Sequence, residues 1–377
     1  MSSKERLVWP DVAKGISILG VVMLHIGIGV PGGETTWLYQ LNTWLDPLRM
    51  PLFFVVSGYF STKVLQYTFR DVLVKRVWYF AVPYIIWVTS ELWTKNLEWR
   101  WVFGNEPLGW RELGINLLLG HNMGWFLHAL IVFNLVLVAA RKLHPAAAML
   151  VSFAPVLLLP LNEHIYFIGK ALMYMPLFFA GVYFRRAITA FVDAICRLSI
   201  PAFTFAAITY AVGYFSRGWW NQFQGEIAIP WYLPGMDFMN HEEILLLVRF
   251  VEQTFQLPMA LVMAVGIAHV PYVSHFFAFI GRNTLPVYLG HPIAMTVGYH
   301  YVQILGGWEI SPDATGLLSS TWFWTIYCII LCGAGGLMLW SISKVPGLGW
   351  TVYPPSLASL QQKIRNAPVL KLAVGKR

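Results

Sequence analysis

Two apolar stretches near the N-terminus carry side chains that hydrocarbon tolerates badly. Asp11, Lys14 and Gly15 open a run that continues to Pro31 and holds His25 among aliphatic residues. The next run begins Asp46-Pro47-Leu48-Arg49-Met50-Pro51 and continues into Phe53-Phe54-Val55-Val56-Ser57-Gly58-Tyr59. Ionisable groups inside a membrane segment are costly and by default mark a functional site. Eleven residues separate Lys14 from His25, roughly 16 Å along a helix rising 1.5 Å per residue. A lysine at one membrane face therefore places the imidazole near the midplane, where it suits general-base work. The competing reading is a neutral histidine bonded to a backbone carbonyl; the crowding of Lys14, Asp46 and Arg49 around it favours function. A third constellation lies in Gly281-Arg282-Asn283-Thr284-Leu285-Pro286-Val287-Tyr288-Leu289-Gly290-His291-Pro292. Thr284, Tyr288 and His291 stand at i, i+4 and i+7, on one helical face, and a polar stripe in a membrane helix is expected to face a cavity.

The elements that position these groups follow from composition. The 377 residues are 57% hydrophobic and 12% charged, where a soluble chain carries about a quarter charged residues. An all-α, polytopic transmembrane bundle is expected, with about ten helices near 13–31, 47–62, 77–94, 124–140, 146–161, 165–184, 195–215, 244–268, 276–304 and 320–341. The fifth is short and contains Pro155 and Pro160. One domain, 1–345, precedes a basic tail, 346–377. Seventeen of the 26 Lys and Arg fall in the termini and alternate loops, among them Lys4, Arg6, Lys63, Arg141, Arg185 and Lys363. The positive-inside rule then puts both termini in the cytoplasm. The net charge of +8 is thus a topology signal, and no nucleic-acid partner is implied. Lys4 and Arg6 before an apolar run suggest a signal peptide, but no small-residue cleavage site follows, so the first helix is expected to be retained.

Other polar features have structural explanations available. Arg70, Asp71, Lys75 and Arg76 fall in a cytoplasmic loop, either as topological anchors or as a basic mouth for a phosphorylated donor. Residues 95–123 form an outer loop in which Arg111–Leu119 is expected to be a short interfacial helix. Tryptophans on that side read as an aromatic belt, with sugar platforms as the alternative. Arg249 and Glu252, one turn apart, read as a mutually neutralising pair. Cys328 and Cys332 beside Gly333-Ala334-Gly335-Gly336 point to close helix packing. His241-Glu242-Glu243 lacks the second histidine of a zinc motif, and no metal site is expected.

Taken in order, these residues resemble acyltransferase family 3, integral-membrane O-acyltransferases of cell-envelope glycans and glycolipids. The resemblance rests on Asp11, Lys14-Gly15 and His25 with basic-x10-His spacing, then Arg49 to Tyr59, Lys75-Arg76 and Trp125-Phe126-Leu127. Pro176-Leu177-Phe178-Phe179-Ala180-Gly181 and Gly281-Arg282-Asn283-Thr284-Leu285-x-x-Tyr288-x-x-His291 complete it, over residues 6–341. The family usually has arginine where Lys14 stands.

The resemblance implies transfer of an acyl group, acetyl or succinyl with acetyl favoured, from cytosolic acyl-CoA to a hydroxyl on the outer side of the inner (plasma) membrane. No permanently bound cofactor is implied. His25 would be the base, and Arg49, Ser57 or Tyr288 the oxyanion donor. Lys14, Lys75 and Arg76 would hold CoA phosphates, with Asp11 orienting Lys14. Asn283, Thr284, His291 and Trp125 complete the substrate-binding set. No serine or cysteine elbow is present, so direct transfer is expected rather than an acyl-enzyme. The acceptor remains open among O-antigen, peptidoglycan, periplasmic glucan, and a trehalose mycolate or other glycolipid. The main alternative is an envelope-lipid transporter or flippase whose buried charges relay protons, although the paired broken repeats of transporters are not evident. A glycosyltransferase using a lipid-linked sugar is a weaker third reading.

Overall fold

The computed structural model describes residues 7–104, 106–121, 123–223, 229–233 and 236–357. Lys4, Arg6, Glu226 and the basic residues from Lys363 to Arg377 lie outside them, as do the side chains of Asp46 and Asp237. The chain is a helical membrane bundle. Its principal helices are α1 (Trp9–Gly29), α2 (Asp46–Tyr59), α3 (Phe69–Val102), α4 (Trp125–Ala140), α5 (Pro145–Leu161), α6 (Phe167–Tyr183), α7 (Arg185–Cys196) and α8 (Ile200–Gln222). A short antiparallel hairpin, β1 (Ile229–Leu233) and β2 (Met236–Met239), precedes α9 (His241–Ala268), α10 (Val273–Arg282), α11 (Thr284–Ala294, continued by Met295–His300 and Tyr301–Gly306) and α12 (Thr321–Ile342).

Every stretch expected to span is helical, but the helices are not uniform. Among the described residues, α1, α3, α9 and α12 are long and apolar enough to cross alone, and α6 and α7, which are long and apolar enough only together, meet at a bend of 81°. The span expected from residue 77 begins at Phe69. Thr68 and Asp71 form a capping box there, the Asp71 N–H donating to Thr68 Oγ1 (3.1 Å) and the Thr68 N–H to Asp71 Oδ2 (3.1 Å). That cap satisfies the first free amides of the helix and draws Arg70, Lys75 and Arg76 into it. The ninth span is broken rather than continuous, because Asn283 (φ −118°, ψ 32°) separates α10 from α11. Proline removes an amide donor, and wider π turns often take up the resulting mismatch. Such turns follow Pro83, at Tyr84–Val88, and Pro292, at Met295–His300.

At the centre, α1 lies against α2, α9, α10, α11 and α12. Small residues allow backbones to meet at these crossings. A Cβ on Gly281 would come within 1.7 Å of the Asp11 carbonyl oxygen, and one on Gly15 within 2.1 Å of that of Phe277. The same reciprocal fit joins α2 to α6 through Gly58 and Gly181, and α11 to α12 through Gly290 and Gly335. Cys328 and Cys332 are buried free thiols on α12. Glu252 of α9 is bridged at 3.0 Å by Arg217, a residue expected in a loop but carried on α8. The stretch expected to form a short interfacial helix is helical, over Trp110–Leu119.

The segment after α12 folds back onto α3. Trp78 Nε1 donates to the Pro355 carbonyl (3.0 Å), Trp87 Nε1 donates to that of Thr351 (3.1 Å), and Val352 is fully buried.

Candidate active site

Two cavities approach the middle of α1 from opposite ends. The first, about 310 Å³, is lined by Asp11, Lys14 and Ser17 from α1, Ser57 from α2, Arg76 and Tyr79 from α3, and Arg282, Thr284 and Tyr288 from α10 and α11. Tyr353, in the segment after α12, completes one side. Exposed Tyr79 and Arg282 mark its open end, whereas buried Phe53, Phe126, Leu127, Asn134 and Tyr288 form its floor. Lys14 Nζ sits 5.1 Å above the Phe60 ring. At the floor, Asn134 Nδ2 donates to the Leu130 carbonyl (2.7 Å), while its Oδ1 is buried with no hydrogen-bond partner among the described residues. An unpaired buried acceptor is costly, so that oxygen fits a ligand N–H. At the open end, burial raises the Tyr353 phenol above its ordinary value, and the neighbouring Tyr79 phenol adds to the effect. Tyr353 therefore stays uncharged and does not repel an anion.

The second cavity, about 630 Å³, is lined by His25, Glu91, Lys95, Asn96, Trp99, His121, Thr296 and His300. Lys95 Nζ and His300 Nδ1 both reach Glu98, at 2.9 and 3.0 Å. Glu91 is 6% exposed and its Oε2 has no hydrogen-bond partner among the described residues; the buried His121 Nε2 also has none among them. Hydroxyl-bearing ligands answer both needs, since a hydroxyl donates to a carboxylate oxygen and either donates to or accepts from an imidazole nitrogen.

The wall between the cavities is thin. Val21 lines the first and His25 the second, one helical turn or about 6 Å apart. On α11, Tyr288 borders the first and Pro292 the second, again about one turn. Within this wall His25 Nδ1 and His291 Nε2 stand 2.8 Å apart, with ring planes 10° from parallel. His291 is fully buried, and its Nδ1 lies 3.0 Å from the Val287 carbonyl oxygen. A carbonyl only accepts, so His291 Nδ1 carries that ring's single proton in the neutral state. His291 Nε2 must then accept from His25 Nδ1–H. The basic lone pair of His25 is thereby placed on Nε2. Tyr288 completes the wall: its hydroxyl donates to the Met123 carbonyl and accepts from the Phe126 N–H at 3.2 Å.

The site residues expected from sequence divide accordingly. Asp11, Lys14, Ser57, Arg76, Thr284 and Tyr288 border the first cavity, while His25 borders the second and meets His291. The polar stripe of α11 therefore runs along the first cavity into the wall. Four others stand elsewhere. Lys75 is bridged to Asp71 at 2.7 Å and lies over the Tyr67 ring. Buried Arg49 donates from Nη1 to the Asn42 carbonyl (2.9 Å), and Asn42 Nδ2 donates to that of Gly20 (3.0 Å), so this arginine ties the start of α2 to α1. Asn283 Nδ2 donates back to the Phe279 carbonyl (2.8 Å). Trp125 stacks on Tyr174, with Lys170 Nζ 5.1 Å above its ring. The Tyr288 hydroxyl proton, expected to serve an oxyanion, is committed to Met123.

Sequence reasoning missed Glu91, Asn134 and Tyr353, and it quoted Arg282 within the Gly281–His291 motif without giving it a role. Glu91 had a signal, being the only acidic residue between Asp71 and Glu98. Asn134, which shares the otherwise apolar α4 with His128, had a weaker one. Tyr353 had none, since only the fold brings it to α3.

Comparisons with curated proteins and with solved structures return no match. Residues 7–340, nearly the whole chain, match a family model described as an acyltransferase domain, and the chain belongs to acyltransferase family 3.

Proposed function

We propose that this multi-pass membrane acyltransferase moves an acetyl group from acetyl-CoA to a hydroxyl of an envelope glycan or glycolipid. The donor enters the smaller cavity and the acceptor the larger one. In this reading the protein sits in the inner membrane with its smaller cavity open to the cytoplasm, as the distribution of basic residues favours. Lys14, Arg76 and Arg282 attract the CoA phosphates. The pantetheine arm runs to the floor, where Asn134 Oδ1 accepts from one of its amides.

The acceptor hydroxyl lies at His25. As its oxygen attacks the thioester carbonyl, its proton passes to His25 Nε2. The imidazolium formed keeps its Nδ1–H on His291 Nε2, a charge-assisted bond worth more than the neutral one it replaces. Collapse of the tetrahedral intermediate breaks the carbon–sulfur bond, and His25 Nε2–H returns the proton to the CoA sulfur. Ser57 at the first cavity, or Tyr288 once its hydroxyl turns from Met123, supplies the oxyanion contact.

The observation that carries this reading is the wall itself. A histidine with a fixed basic nitrogen stands about one helical turn from the floor of a cavity rimmed by cations. The test is transfer of radiolabel from acetyl-CoA into envelope glycan and lipid fractions by purified protein in liposomes. Label is expected to appear with the wild type and to vanish with His25→Ala. Equal label from both would remove the proposed base.

A further inference from the structure

The smaller cavity holds an aromatic pair that the reaction above does not use. Tyr353 lies after the last span, and its ring faces that of Tyr79 on α3 with centroids 6.3 Å apart and planes 27° from parallel. Both rings line the cavity at its open end, with Arg76 and Arg282 beside them. The segment carrying Tyr353 is fixed on both sides of it, by the Trp87–Thr351 and Trp78–Pro355 hydrogen bonds and by fully buried Val352. Tyr353 is thus held in the cavity wall by contacts made through its neighbours.

A volume of about 310 Å³ is at the lower end for ligand pockets. It suits a slender arm, not a whole acyl-CoA. A donor whose arm fills the closed end must leave its adenosine 3′,5′-bisphosphate at the open end, where the aromatic rings and guanidinium groups are. Aromatic faces stack on a purine, and arginine forks grip phosphate. We infer that Tyr353, backed by Tyr79, is the stacking wall of a subsite for the adenine nucleotide of the donor, so that the segment following the last span is part of the binding site. This rests on the acyl-CoA reading given above.

The test compares two ligands on the full chain in nanodiscs by calorimetry: CoA, and 4′-phosphopantetheine, which keeps the arm and lacks the nucleotide. Tyr353→Ala and Tyr353→Leu should each weaken CoA binding by about tenfold, since stacking on a base commonly contributes that much, and leave 4′-phosphopantetheine binding unchanged. Tyr353→Phe, which keeps the ring, should bind CoA as the wild type does. The inference is overturned if Tyr353→Leu binds CoA with wild-type affinity. It is equally overturned if both ligands weaken by the same factor, because the segment would then serve only to hold the fold. If the wild type binds neither ligand, the acyl-CoA reading itself fails. Binding of 4′-phosphopantetheine without any gain for CoA would refute the nucleotide subsite alone.

Discussion

His291 gives the sharpest test of the wall. In the geometry described, its Nε2 is the acceptor that keeps the proton of neutral His25 on Nδ1 and the lone pair on Nε2. His291→Phe keeps a flat ring of similar size and removes that acceptor. The His25 Nδ1–H is then left without its buried partner, a loss of about 1–3 kcal/mol. At 1.4 kcal/mol per factor of ten, this shifts the neutral tautomers by roughly five- to 150-fold toward the form with no base on Nε2. Loss of the charge-assisted bond to the imidazolium formed during transfer acts in the same direction. A fall in kcat of about 10²–10³ is therefore expected, within the range for losing general-base catalysis. The KM for acetyl-CoA should hardly change, since the proposed donor cavity lies on the other side of the wall.

His291→Gln separates positioning from packing. Its amide oxygen accepts from His25 Nδ1–H, and activity should recover by at least about tenfold over His291→Phe. The assay is initial-rate transfer of label from acetyl-CoA to envelope fractions, with melting temperatures measured on the same preparations. Wild-type kcat in a folded His291→Phe protein would refute the tautomer argument. A His291→Gln protein no better than His291→Phe would refute it too, and would leave His291 as a packing residue.

Further outcomes follow from the same geometry. His25→Ala should lower transfer by about 10²–10⁴ with the melting temperature nearly unchanged, as judged by the radiolabel assay and thermal unfolding. Neutralising Lys14, Arg76 or Arg282 should raise the KM for acetyl-CoA and flatten its salt dependence, whereas Lys75→Ala, which removes only an exposed bridge to Asp71, should do neither; steady-state kinetics across ionic strength decide this. Tyr288→Phe removes the hydroxyl that ties Met123 and Phe126, costing about 0.5–1.5 kcal/mol per hydrogen bond, and should lower both melting temperature and kcat, the first by calorimetry. Gly281→Ala drives a methyl into the Asp11 carbonyl; overpacking of about 1–3 kcal/mol should reduce the folded yield on size-exclusion chromatography and raise the donor KM in what remains.

The buried ionisable groups were the legible part of the site. His25 and the stripe through Thr284, Tyr288 and His291 could be read because polar residues stand out against hydrocarbon and helical spacing assigns them a face. What that spacing could not give was the partner across the fold, and His25 and His291 are 266 positions apart. For Arg49 and Lys75 the sequence showed less: a cation beside an apolar run signals cost, but not which acceptor stands beside it. Asn42 stands beside the first and Asp71 beside the second. The capping box at Thr68-Phe69-Arg70-Asp71 was visible in the sequence and would have moved the start of α3 eight residues earlier, to Phe69. The break at Asn283 had a local signal in Gly281, Asn283, Thr284 and Pro286, residues common at helix ends, but the apolar run on either side reads as one span, and it is the close crossing of Gly281 on α1 that fixes the helix there.

The wall also bears on how two substrates of unlike solubility meet. A channel open from end to end would let water reach the thioester and would join the two faces of the membrane. A wall several turns thick would keep the hydroxyl from the carbonyl. Here about one turn of α1 and one of α11 separate the cavities, and the turn Met123–Phe126 is held across the gap by the Tyr288 hydroxyl. On the proposed reading, reacting atoms would have to displace a side chain and a short turn, not a helix. His25 and His291 lie on α1 and α11 and not on that turn, so its displacement would leave the contact between the two imidazoles in place. In the proposed reading this accounts for the polar stripe of α11: Thr284 and Tyr288 border the first cavity, His291 meets His25, and the three share one face of a helix that packs through Gly290, on another face, against α12.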